Sequence, residues 1–407
     1  MKFRLLVVAD GFIAAQSPSW VDPRAGPVNF KLAAHDLDKR APELVFRGRV
    51  LDEKGQPVAN ATVATCGYMK GDRGQFGSEL KGFDPLAVTD ARGGFRLGVP
   101  ETGLKLSVYV SAQFMAPRKL NDLPVDGKSH DLTLFRGVTV RGRILKDGKP
   151  IAGAAIGIAQ KDRGINFLGA FQAAVDENGT FQIPHLPPDD DFYLYGIMDT
   201  MKSHGAVAVQ EVRTGESGTQ VDVGTLELKP GFQLSGRVEL SDGKAVPNGL
   251  RLLLSRDEAW DVQQVVVDET GSFAFGGLPA ELYSLSTNMP GYHISPENKS
   301  LDPIHNRHLL GVIQSDVTGF RFLFAPGQPD ANAGVNDSDR GAGHVRLKTT
   351  PLHGAEIVPR PSAVSQSNVG LVNVLFWIWA VVVGLCGLWV CANVLVRLRR
   401  RIVSKPE

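Results

Sequence analysis

The sequence predicts an all-β protein, a row of β-sandwich domains followed by one transmembrane α-helix. Three observations carry this. A set of motifs recurs at a fixed spacing, 94 residues from Gly48 to Gly142 and again from Gly142 to Gly236. Glycine and proline account for 45 and 25 of the 407 residues. That is about one residue in six, against an average of about one in eight, and such an excess of turn formers suits many short strands. Finally, Val374 to Ala392 holds only apolar residues and glycine, helix enough to cross about 30 Å of hydrocarbon.

Composition narrows the functional classes. A net charge of +1 argues against a nucleic-acid protein, which would need a basic face or domain. Cys66, Cys386 and Cys391 are the only cysteines, so the first 380 or so residues have no disulfide framework and rely on their cores.

Taken in order, residues 1–40 read as the last two strands of an incomplete sandwich. Lys2-Phe-Arg-Leu-Leu-Val-Val8 alternates, with Phe3, Leu5 and Val7 inward, and, as in the first complete repeat, a proline-containing loop is expected to lead to a last strand, here Val28–Leu32. A signal peptide is the competing reading. Its apolar run, Leu5 to Ala9, is shorter than the usual stretch of about 7–15 residues. On the strand reading the chain starts in mid-domain, with the export signal upstream.

Three units follow, at 43–135, 137–230 and 231–325. Each opens on a strand with a central glycine: Phe46-Arg-Gly-Arg-Val50, Val140-Arg-Gly-Arg-Ile144 and Leu234-Ser-Gly-Arg-Val238. A turn and a proline come next, at Pro57, Pro150 and Pro247, and then a second strand near Ala61–Ala64, Ala154–Ala159 and Leu250–Leu254. Further on stand Asp90-Ala-Arg-Gly-Gly-Phe95, Asp176-Glu-Asn-Gly-Thr-Phe181 and Asp268-Glu-Thr-Gly-Ser-Phe273. In each, a polar turn with glycine joins two strands, and the Phe opens the second strand facing the core. Leu104–Val110 then alternates with period two. About seven short strands with turn signals every 8–12 residues add up to a sandwich.

These motifs resemble the carboxypeptidase regulatory-like domain over about Glu43 to Pro326. The resemblance implies a transthyretin-like Greek-key sandwich, grouped with carbohydrate-binding-like folds. The third unit departs from the family pattern at Pro247-Asn-Gly-Leu250, and the second places Asp189, Asp190 and Asp191 where the family has a Pro-Gly turn. Both departures fall in loops and leave the core pattern intact.

Residues 326–368 are rich in Pro, Ala, Gly, Ser and Asn and lack aromatics. The composition predicts a flexible linker with an end-to-end distance of roughly 35 Å. Residues 369–396 form the expected membrane helix. The basic tail 397–407, with Arg397, Arg399, Arg400, Arg401 and Lys405, places the C-terminus in the cytoplasm and the long N-terminal part outside. Ala380, Gly384, Gly387 and Cys391 share one stripe of that helix, a small-residue face suited to a homodimer.

The sequence offers no catalytic, cofactor or metal constellation: no G-x-S-x-G, Walker loop or H-E-x-x-H is present. His305 and His308 make a histidine pair without a third ligand, and Asp189–Asp191 lacks the spacing of a calcium loop. Cys66 reads as a small buried hydrophobe. Trp260, Tyr283 and Tyr292 are the candidate ligand contacts, since an exposed aromatic patch is what would hold a glycan. The function expected is that of a non-catalytic, single-pass envelope protein of bacterial type, whose sandwiches bind or space a protein or glycan partner. A carbohydrate-binding array and the accessory region of a membrane-anchored peptidase are the alternatives.

Overall fold

The opening motif of each repeat forms the first strand of a sandwich, and the last strand of that sandwich returns to lie beside it in parallel. The computed structural model describes residues 5–327, apart from 10, 18–20, 23, 25, 78–79, 257, 299–300 and 303–306. The expected linker, membrane helix and tail, with Ala380, Gly384, Gly387 and Cys391, lie outside the described residues. No helix among the described residues is long and apolar enough to cross a membrane.

In the first sandwich, one sheet runs Ser129–Thr133, Val45–Leu51, Gly94–Gly98. The facing sheet runs Arg73–Phe76, Thr62–Lys70, Lys105–Ser111, Arg118–Pro124, with Leu86–Val88 also on Thr62–Lys70. Phe46, Val50, Val63, Leu97, Leu106 and Val108 fill the space between them. The second sandwich builds one sheet around Val138–Lys146 and the other around Ala155–Gln160 and Asp191–Gly196. The third does the same around Phe232–Leu240 and around Arg251–Arg256 and Leu282–Ser286. Each has its own main hydrophobic core.

The recurrent glycine has a steric reason. Gly48 lies beside His130 and Gly236 beside Phe320 in the parallel first-to-last pairings. A Cβ at either position would stand 2.0 Å from the neighbouring carbonyl oxygen, which is backbone and cannot rotate away. At Gly142 a Cβ would meet Val223 and Phe181. The glycine lets the last strand close on the first.

The recurrent aspartate caps its own turn. Asp90 Oδ1 accepts from the backbone N–H groups of Arg92 and Gly94, both at 2.8 Å. Asp176 does the same for Asn178 and Thr180, and Asp268 for Thr270 and Ser272. Gly93, Gly179 and Gly271 take up positive φ, where a side chain would be strained. Phe95, Phe181 and Phe273 are buried.

The N-terminal segment differs from expectation. Leu6–Val7 pairs with Ala15–Gln16, and Phe12 bridges Ala34, whereas residues 28–32 form no strand. Alternation gives a strand one apolar face but no partner, and a strand without a ladder is not stable. Leu5 and Val7 are half-buried and Leu6 is exposed. Arg40 anchors the segment through its guanidinium to the Val99 carbonyl at 2.7 Å, and Asp38 pairs with Arg96 at 2.6 Å.

Candidate functional site

The most elaborate arrangement of charge lies where the second sandwich meets the third. In strand Arg251–Arg256, Leu252 and Leu254 point into the core, and Arg256 occupies the next inward position at the strand's end. Its side chain is 0% exposed. A buried guanidinium needs partners for its whole fork. Nε and Nη2 each donate to the Glu281 carboxylate at 2.7 Å. Nη1 donates to the Gly196 carbonyl at 2.9 Å and more distantly to Asp261 at 3.4 Å, and Nη2 reaches the Val207 carbonyl at 3.3 Å. Gly196 and Val207 belong to the second sandwich, so one side chain of the third is bonded across the joint.

Both carboxylates cross the joint as well. Asp261 Oδ2 accepts from Met198 N–H at 2.9 Å, and Glu281 Oε1 accepts from Val209 N–H at 2.7 Å. Burial opposes the charge on Arg256, but the Glu281 carboxylate overcomes this and holds the guanidinium above its ordinary value. Burial also raises the Asp261 carboxyl, which its longer contact with Arg256 only partly offsets. Apolar contacts complete the joint. Met198, from the short helix Met198–Met201, is buried in the core of the third sandwich, and Ala159, Tyr195 and Ala259 form a small cluster of their own. Gly157 leaves room for the Tyr195 ring, whose hydroxyl donates to the Trp260 carbonyl at 3.1 Å.

None of the three aromatic candidates is exposed: one is buried and two are half-buried. Tyr283 is corrected outright: it is 1% exposed, and its hydroxyl donates to the Pro279 carbonyl at 2.9 Å. Its place opposite Arg256 in the sheet put it inside. Trp260 is half-buried at the joint, with the Arg163 guanidinium 4.8 Å from its ring centre and the Phe167 ring edge-on at 4.8 Å. Arg163 also donates to the Glu258 carbonyl at 2.5 Å. Tyr292 is half-buried on the opposite sheet, its hydroxyl donating to Asp242 at 3.0 Å.

The polar candidates are spread over separate partners. Asp190 accepts from Gln160 at 2.7 Å, Asp191 pairs with Arg213 at 3.1 Å, and Asp189 sits in a turn at φ 54°. His308 is buried with its ring 5.5 Å from Phe320 and 5.9 Å from Phe322, and Nδ1 has no hydrogen-bond partner. Burial pushes it down to about 4. His305 lies outside the described residues. Among the described residues, no group of three or more His, Cys, Asp or Glu converges as a metal site would require. Cys66 is half-buried at a bulge of strand Thr62–Lys70, and burial raises its thiol.

Sequence reasoning missed Arg256, Asp261 and Glu281. The available signal was parity: a charged residue at the inward position after Leu252 and Leu254 calls for buried partners. The junction between the first and second sandwiches is built differently. The described residues form no ion pair across it. Asn121 donates to Asn166 at 2.9 Å, and the Gly137 N–H donates to the Phe114 carbonyl at 3.1 Å.

No family model matches the chain. No curated protein matches it either. Solved structures similar to it include the minor pilin GBS52 of Streptococcus agalactiae, at 14% identity over 48% of this chain and 97% of that one, with a TM-score of 0.24. A streptococcal ancillary pilin is 10% identical over 70% of this chain and 100% of its own, also at 0.24. The TIE protein of Bacillus anthracis is 12% identical over 70% of this chain, with a TM-score of 0.20; the chain spans about half the length of that protein. Likeness this slight carries nothing about function.

Proposed function

We propose that the chain is a non-catalytic, membrane-anchored surface protein that presents a binding surface on a row of sandwiches, the second and third of which are held at a fixed angle to each other. The observation that carries this is the joint. The fully buried Arg256 fork is spent on fixing the second sandwich against the third, through Glu281, Asp261 and two carbonyls of the neighbour. A fixed angle between domains serves spacing and presentation. Trp260, under Arg163 and against Phe167, supports the same role over that of a sugar platform. Anchoring rests on the apolar run Val374–Ala392, and an outside N-terminal part with a cytoplasmic tail rests on Arg397–Arg401. Self-association through the stripe Ala380, Gly384, Gly387, Cys391 belongs to the same reading.

Paired spin labels test it directly. With Cys66, Cys386 and Cys391 replaced by Ser, labels at Asn178→Cys and Ala245→Cys, exposed positions on the two sandwiches, should report one narrow distance distribution. A broad or multimodal distribution in the otherwise unaltered chain would overturn the rigid-spacer reading.

A further inference from the structure

Between the first and second sandwiches lies a cleft of about 350 Å³, within the range of roughly 300–1,000 Å³ typical of small-molecule sites. Its apolar wall is Phe135 and Ala116 on one side, Pro187 and Pro188 on the other. Three charged side chains also line it: Arg118, Glu53 and Asp189.

None of the three forms an ion pair among the described residues. The Arg118 guanidinium lies 5.3 Å from the centre of the Phe135 ring, and its Nη1 donates to the Thr133 carbonyl at 2.6 Å. Burial lowers it from its ordinary value. A partly desolvated guanidinium with a single carbonyl partner keeps most of its planar fork for a carboxylate. Glu53 and Asp189 come from turns of different sandwiches, and both are exposed. Asp189 is held there at φ 54°, and it is the backbone carbonyl of that residue that Arg213 engages. One unpaired cation and two unpaired carboxylates, set around an apolar wall, are complementary to a molecule that carries both charges. A plain anion would be repelled by the two carboxylates, and a plain cation by Arg118.

We propose that this cleft binds a small apolar zwitterion, an amino acid or dipeptide with both ends free. Arg118 takes the carboxylate, Asp189 and Glu53 take the ammonium, and Phe135, Pro187 and Pro188 take the apolar side chain. The site is independent of the joint between the second and third sandwiches.

Saturation-transfer NMR on the full chain in detergent micelles tests this with four probes: leucine, leucyl-leucine, N-acetyl-leucine and leucinamide. Leucine or leucyl-leucine should receive saturation from the protein, and which of the two binds tighter separates a free amino acid from a peptide end. N-acetyl-leucine and leucinamide, each lacking one charge, should bind at least roughly tenfold more weakly, the scale of one lost charge-assisted contact. Arg118→Gln should abolish the signal, and Arg118→Lys should keep part of it. Glu53→Gln with Asp189→Asn, at two exposed positions, should weaken both zwitterions while the melting profile stays unchanged, which keeps the test valid should Arg118→Gln fold poorly. No signal from either zwitterion, equal binding of N-acetyl-leucine, or indifference to the double carboxylate variant would each overturn the proposal.

Discussion

Replacing Arg256 by Ala is the sharpest probe of the molecule's energetics. The substitution removes two bonds to Glu281 at 2.7 Å, the contact with Asp261, and the bonds to the carbonyls of Gly196 and Val207. It strands two acids whose side chains are only 5% and 11% exposed. Breaking a buried ion pair by removing one partner costs about 3–5 kcal/mol, most of it the penalty of the uncompensated charge. If the second and third sandwiches unfold as one unit, a unit of that size loses about 2–4 °C per kcal/mol, so its transition should fall by about 6–20 °C. The first sandwich contributes none of these contacts, and its transition should stay in place. Scanning calorimetry of the full chain reads both. Arg256→Met combined with Glu281→Gln should recover part of the loss, because fewer charges are left buried and unpaired. A drop shared equally by all transitions, or none at all, would falsify the view that Arg256 welds this joint.

Two further outcomes follow from buried groups. His308 is held neutral at about 4, well below its unfolded value of 6.5, so the unfolded chain binds its proton first as pH falls. Its contribution is therefore complete above about pH 6.5 and is lost progressively down to about pH 4, a decline on the order of 3 kcal/mol. Urea midpoints measured against pH should show this slope in the native chain and a shallower one in His308→Phe; identical slopes would dismiss the role of His308. Gly48→Ala and Gly236→Ala each press a methyl onto a backbone carbonyl and should each destabilise by about 3 kcal/mol. Gly55→Ala, at positive φ in open space, should cost only roughly 1–2 kcal/mol in denaturant titration. Equal losses at Gly48 and Gly55 would show that conformation alone governs the glycines.

The strands, the turns and the direction of the core were set by the sequence itself, because they depend on near neighbours. Period-two alternation in Leu104–Val110 fixes which side chains face inward, and Asp90 binds N–H groups only two and four residues away. The Phe that opens the next strand is buried in all three repeats. The strand expected at Val28–Leu32 did not form for the opposite reason: the periodicity of Lys2–Val8 describes one strand, whereas a ladder needs two. What only the tertiary structure decided are the contacts between domains. Arg256 reaches Gly196 across 60 residues, and Tyr195 reaches Trp260 across 65. The cleft draws Glu53 and Asp189 to the same space from different sandwiches. Whether such groups are buried, paired or left free depends on the angle at which one folded surface settles on another. That angle is fixed by the shape of both surfaces together, which no local window of the sequence contains.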